Sequence, residues 1–280
     1  MKYTSKPSIL FIVLILVSTL LLMPSCDNIQ IYNNTSGFDD CNFVSYYAKE
    51  KTEENHIIFS YPQFMNTFTN AAEINELIMG FVKSALQKVC NGEFRGNLRD
   101  SSELPERNNY EYTILAMDIN YTIKRNDADY FSVIFEGLYN NKTAAHPVNY
   151  FNSFTIDVRN SVFVTLSDLY DIDADFMDIV KNEFKEQIRT GLAKKTGVSV
   201  DEIPESIKEF YPLLSDSELL QATRQADINS DFGFHSFMTD TALGISFPLE
   251  HAMGDHYEIL IAYDMLDRIE RKSTGDASPS

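Results

Sequence analysis

The sequence predicts an α+β fold, with antiparallel sheets packed by amphipathic helices in two small domains side by side. Three observations predict it. Aromatic and β-branched runs separated by polar turns recur between Tyr110 and Leu166. Apolar residues at helical spacing occur in two long segments and a shorter third. Strands and helices come in runs and not in strict alternation, which argues against a parallel α/β sheet.

Phe43 to Lys49 and His56 to Tyr61 read as two strands around the charged turn Glu50-Lys51-Thr52-Glu53-Glu54. Ile74, Leu77, Ile78, Phe81, Val82, Ala85, Leu86 and Val89 then recur at helical spacing, so one continuous face is buried, against a sheet. Asn70 or Thr69 is expected to cap this helix, Glu73 suits its first turn, and Asn91-Gly92 is expected to end it. After a polar loop, Tyr110 to Ile123, Tyr130 to Tyr139, Tyr150 to Val158 and Val162 to Leu166 read as an antiparallel meander. Lys124 to Asp129, Asn140 to Pro147 and Arg159-Asn160-Ser161 are its turns. Phe176, Ile179, Val180, Phe184, Ile188 and Leu192 mark a second amphipathic helix, and Ser215 to Gln225 a shorter third. Phe234 to Met238, Leu243 to Phe247 and Tyr257 to Tyr263 read as the last strands.

The first residues carry Lys2 and Lys6 and no acid, and Ile9 to Met23 carries no charge. A basic lead, an apolar core of about 7–15 residues and a small residue before the cut describe an export signal. Leu22-Met23-Pro24-Ser25-Cys26 resembles a bacterial lipobox, so residues 1–25 are expected to be removed and Cys26 to be lipidated. The alternative is an uncleaved, slightly short membrane anchor, since a spanning helix needs about 20 apolar residues. Residues 26–42 then form a lipidated tether, 43–160 and 161–267 two α+β domains, and 268–280 a flexible tail.

Without its leader the chain carries 21 basic against 41 acidic side chains, a formal charge of −20. That excludes a nucleic-acid groove as the default reading, since phosphate binding needs a basic footprint, and permits long-range steering of cationic partners, set against simple solubility. Cys41 and Cys90 form an even pair in an oxidising compartment, so they are either a disulfide or two separate thiols.

Several short motifs resemble one extracytoplasmic family. Ser132-Val133-Ile134-Phe135-Glu136-Gly137, leading to Ala144-Ala145-His146-Pro147, is similar to a strand and its Gly-Gly-Ala-His-Pro turn, with alanines where the family has glycines. Phe154-Thr155-Ile156-Asp157 followed by Val164-Thr165-Leu166-Ser167-Asp168-Leu169 is similar to its next strand and the start of a helix. Gly244-Ile245-Ser246-Phe247 and Ile261-Ala262-Tyr263-Asp264-Met265-Leu266 resemble its closing strands, and Tyr61-Pro62-Gln63-Phe64 fits ahead of the first helix. The family is the RsiV-like C-terminal domain, preceded by the domain found N-terminal to the catalytic part of PdaC-type peptidoglycan deacetylases. The resemblance implies an α+β architecture dividing near Asn160 to Leu166 and a role at the cell envelope. In the RsiV type the region is an extracellular sensor that binds lysozyme. In the deacetylase type it accompanies a domain acting on wall glycan. No sigma-binding segment precedes the apolar stretch and no deacetylase domain follows Leu266, so only the binding role is carried over.

His146, in the turn that the family marks, is a candidate ligand-facing imidazole, set against a turn histidine that satisfies local backbone. His251 and His256 lie in Glu250-His251-Ala252-Met253-Gly254-Asp255-His256, a cluster of metal-capable groups that reads more simply as a connection between strands. Asp171-Ile172-Asp173-Ala174-Asp175 and Asp227-Ile228-Asn229-Ser230-Asp231 alternate as calcium loops do. Both lack the glycine and final glutamate of such loops, so they read as helix-start acids and a solvated loop. No nucleophile elbow, phosphate loop or dinucleotide fingerprint is present. No cofactor, metal or catalytic residue is expected. The expected role is binding of an extracytoplasmic protein or cell-wall component, a cationic lysozyme-like protein being the sharpest choice. The alternative is an enzyme or accessory module acting on peptidoglycan.

Overall fold

The computed structural model describes residues 43–51, 56–65, 69–90, 114–141, 146–197, 199, 216–227, 233–249, 255–267 and 269. Cys26, Cys41 and His251 lie outside the described residues, as do the leader and the tether.

Strands β1 (Phe43–Lys51) and β2 (His56–Phe64) pair antiparallel. Helix α1 (Ala71–Val89) follows, and then β3 (Ile114–Asn126), β4 (Tyr130–Asn141), β5 (Val148–Asp157) and β6 (Val162–Val164) form an antiparallel meander. β3 joins β2 in parallel, with His56 to Phe59 opposite Ala116 to Ile119, so six strands form one sheet in chain order. The parallel joint follows from the long excursion through α1, because parallel neighbours need a crossover. Pro62 lies beyond that joint, where its missing N–H interrupts no ladder with β3.

Alternation along the strands sends Ile57, Phe59, Met117, Ile119, Phe131, Val133, Phe135, Phe154 and Ile156 to one face, under the Ile74, Ile78, Val82 and Leu86 stripe of α1. Phe81 of α1 stacks on Phe135 at 5.3 Å and meets Phe154 edge-on at 5.0 Å. Gly137 lets β3 and β4 close up, since a Cβ there would stand 2.0 Å from the Asp118 carbonyl oxygen.

Two expectations are corrected. Asn70 does start α1, but in the left-handed region (φ 64°) and without a side-chain cap. Its carbonyl takes the Ile74 N–H; Cys90 is the C-cap at the other end, and Asn91-Gly92 lie outside the described residues. Lys124, Arg125 and Asn126 belong to β3 and not to the turn, which is left to Asp127 to Asp129. There Asp127 Oδ1 accepts the N–H groups of Asp129 and Tyr130, both at 2.8 Å.

Beyond β6 come α2 (Leu166–Leu169), α3 (Ala174–Thr196) and α4 (Asp216–Arg224). Asp173 caps α3 by accepting the Phe176 N–H at 2.9 Å, which accounts for the first calcium-like run as helix-start acids. Gly197 ends α3 in the left-handed region. Three antiparallel strands follow, β7 (His235–Met238), β8 (Ala242–Pro248) and β9 (His256–Ala262), and a 3-10 turn over Tyr263–Leu266. One face of this small sheet, with Leu243, Ile245, Phe247, Ile259 and Ile261, packs on Phe176, Ile179, Val180 and Phe184 of α3. β6 pairs with β5 while Val164 packs in this second core, so the chain passes between the two cores within β6.

The opposite face of the small sheet lies on the back of the large one. Phe237 packs with Ile134 and Phe151. The edge of β7 that faces away from β8 is satisfied by side chains. Ser132 Oγ accepts the Met238 N–H at 2.9 Å, and Ser153 Oγ donates to the Ser236 carbonyl at 2.7 Å. Asp227 Oδ1 accepts the Ser236 N–H at 2.6 Å. Buried backbone groups without partners are costly, so these side chains finish an edge that no described strand covers.

Candidate functional site

The back of the large sheet is covered unevenly. On β5, Phe151, Ser153 and Thr155 are buried beneath β7. On β4, Ile134 is buried, Glu136 is half-buried and Leu138 is exposed. On β3, Asp118, Asn120 and Thr122 are exposed. The two sheets therefore diverge from β5 towards β3, and the candidate site lies where cover gives out.

Register brings its residues together. Glu136 stands opposite Asn120 on one side and Phe151 on the other. Across the small sheet, His235, Ser246 and Glu258 form one row, with His256 one position along the same face of β9. The His256 ring lies 4.9 Å from that of Phe151, and the His235 ring 6.0 Å. Gly244 lies behind Phe237, whose ring occupies the space that a Cβ would need. Lys124 reaches over Phe237 at 5.7 Å.

The electrostatics are unusual for a surface. Burial raises the Glu136 carboxyl above its ordinary range, and the charge of Glu258 raises it further, against the opposing pull of Lys124 and His256. Burial lowers His235 to about 4, helped by Lys88 and His256, so its ring is neutral near pH 7. His256 Nδ1 stands 3.0 Å from Glu258 Oε1. The pair is an ion pair only when His256 is protonated, and it is off the geometry of a hydrogen bond. His235 Nδ1 and Ser246 Oγ are buried and have no hydrogen-bond partner.

The residues singled out from the sequence fall in different places. His256 lies in this site. His146 is exposed in the turn before β5. Asp255, which precedes His256, holds the Asn149 N–H at 2.7 Å and so ties the start of β9 to that of β5. Cys90 is buried at the end of α1, among the residues of the first core. Asp227, read as the start of a calcium-like loop, has its carboxylate engaged by Ser236 and Leu166. Among the described residues no three His, Cys, Asp or Glu side chains converge closely enough to hold a metal ion. Nor is any helix among them long and apolar enough to cross a membrane.

His235, Ser246, Glu136 and Glu258 were not singled out from the sequence. One signal was legible. Alternation places His235 in phase with Phe237, so a strand with an inward phenylalanine also carries an inward histidine.

No protein-family model matches the sequence, and no curated protein does. Solved structures are similar. A DUF3298 family protein from Pseudomonas aeruginosa PAO1 aligns over 82% of this chain and 94% of its own, with a TM-score of 0.50 at 12% identity. A member of the DUF3298 family from Bacteroides fragilis NCTC 9343 aligns over 84% of this chain and 94% of its own, with a TM-score of 0.45 at 13% identity. At such identity the likeness is one of fold: the chain has the α+β fold of the Pseudomonas DUF3298 protein.

Proposed function

We propose that the chain is an exported lipoprotein, tethered to a membrane by lipid on Cys26, whose folded part binds a cationic extracytoplasmic protein without performing chemistry. The observation that carries this reading is charge. Acidic side chains outnumber basic ones by 41 to 23 over the whole chain. On the back of the large sheet, exposed Asp118 and half-buried Glu136 and Glu258 add carboxylates to this field, with Lys124 and His256 beside Glu136. Such a field speeds encounter with a positively charged partner and selects against anionic ones. Kinship with the RsiV-like sensor domain and the PdaC-type partner domain is part of the proposal, and it makes a lysozyme-like protein the first partner to try. Gly137 and Gly244 support it, because each lies in a resembling motif at a place where a side chain would collide.

The test is a calorimetric titration of the purified full chain with lysozyme at about 0.05 M and about 0.3 M salt, a range over which screening shortens markedly. Association that weakens with salt is the expected result, and no association at low salt rejects lysozyme as the partner. Palmitate labelling in a bacterial host tests the anchor: it should be lost in Cys26→Ala, and labelling that persists there refutes the tether.

A further inference from the structure

We infer that the wedge between the two sheets, at Glu136, Phe151, His235, Ser246 and Glu258, is a receptor for one basic side chain, an arginine or lysine, presented by the partner. The inference rests on the reading of this chain as a binder of a cationic protein and narrows it to one contact.

The first observation is the carboxylate pair. Glu136 on β4 and Glu258 on β9 come from different sheets, and the charge of Glu258 reaches Glu136 and disfavours its ionisation. Acidic residues in proximity do not by themselves make a site. The second observation is independent of charge. His235 is 7% exposed and Ser246 0%, yet His235 Nδ1 and Ser246 Oγ are without a hydrogen-bond partner. Both side chains project from the small sheet on the face that carries Glu258. Buried polar atoms are normally satisfied, so two orphans in one row call for a missing partner.

The chemistry of the groups selects that partner. A neutral imidazole nitrogen, a hydroxyl and two carboxylates all accept hydrogen bonds. Phe151 adds an aromatic ring beside both histidines. An N–H-rich cation suits this set, because it gives several donors to spaced acceptors and its charge favours an aromatic neighbour. A metal ion suits it less. Metal ligands must converge to about 2.0–2.6 Å from one point, and no such group of three exists among the described residues. Leu138 and Leu260, 49% and 47% exposed and two residues beyond Glu136 on β4 and Glu258 on β9, supply apolar surface for the methylene stem.

The experiment uses the full chain labelled with ¹⁵N at its 5 histidines, with His235 and His256 assigned through His235→Gln and His256→Gln. The probes are N-acetyl-argininamide, N-acetyl-lysinamide and the uncharged N-acetyl-citrullinamide. Saturable shifts of the His235 and His256 rings with the cationic probes, absent with citrullinamide, are expected. The Glu136→Gln/Glu258→Gln variant should bind the cationic probes about tenfold more weakly or worse, as loss of charge-assisted hydrogen bonds implies. No saturable shift in the unmodified protein, or equal shifts with citrullinamide, overturns the inference whatever the variant does. The same variant titrated with lysozyme separates the two proposals. Unchanged salt-dependent association there removes this site and leaves the binding role standing. Probe binding without any lysozyme association retains the site and rejects only that partner.

Discussion

Asp227 holds Ser236 by both of its donors: Oδ1 accepts the backbone N–H at 2.6 Å and Oδ2 the hydroxyl at 2.5 Å. Oδ2 also takes the Leu166 N–H at 3.1 Å, so one carboxylate joins the start of α2 to the free edge of β7. Burial nevertheless raises its pKa from 3.8 to about 6, the hydrogen bonds from Ser236 and Leu166 offsetting only part of the cost.

The sign of the resulting pH dependence follows from linkage. The folded state binds the Asp227 proton more tightly than the unfolded chain, so its contribution is fully present below pH 3.8 and is lost as pH rises through about 6. Its neighbour His235 runs the other way. Its pKa falls from 6.5 to about 4 on folding, so its contribution is present above pH 6.5 and is lost as pH falls through about 4. The two slopes oppose each other across the same window. Denaturant unfolding between pH 4 and pH 7 should therefore show little net slope from this pair. Asp227→Asn should make stability rise with pH, and His235→Gln should make it fall. Parallel curves for the three proteins would contradict the assignment.

Ser132 and Ser153 should contribute to stability through the β7 edge. Ser132→Ala leaves the Met238 N–H without its acceptor, and Ser153→Ala leaves the Ser236 carbonyl without its donor. Each substitution should cost about 1–3 kcal/mol, the penalty for an orphaned buried group. Because Ser132 Oγ also pairs with Thr155 Oγ1 at 2.9 Å, Ser132→Ala and Thr155→Val should be non-additive in a double-mutant cycle.

Gln187 reaches from α3 to the outer edge of β9 and reproduces a strand there. Its Oε1 accepts the Leu260 N–H at 3.0 Å, and its Nε2 donates to the Leu260 carbonyl at 2.6 Å. Gln187→Ala should speed hydrogen exchange of the Leu260 amide and, by baring an edge, increase self-association in sedimentation. Unchanged exchange would show that the amide pair is not formed in solution.

Gly244→Ala should destabilise the fold by about 1–3 kcal/mol, the usual cost of overpacking. The new methyl would sit 2.2 Å from the Phe237 ring, which is itself held between Ile134 and Phe151. Adding Phe237→Leu should recover part of the loss, since the smaller side chain vacates the contested space. Simple additivity of the two losses by thermal unfolding would show that the clash is relieved some other way.

The sequence by itself determined the local structure wherever one periodicity dominated. The stripe from Ile74 to Val89 determined α1 and its buried face, and Asp173 marked the start of α3. Strand alternation and polar turns determined the meander from β3 to β6. Tertiary structure decided what covers the second face of each sheet. Ser132, Ile134, Glu136 and Leu138 read along the chain as one mixed face of β4, yet Ile134 is sealed beneath Phe237 and Leu138 is exposed. It also decided the parallel joint of β2 to β3 and the placing of Glu258 where its charge acts on Glu136. The physical reason is range. Helical and strand periods arise from a residue's neighbours along the chain, whereas the wedge joins β4 to β7, β8 and β9, about a hundred residues away in sequence. Only the stacking of one sheet on the other brings their acceptors together.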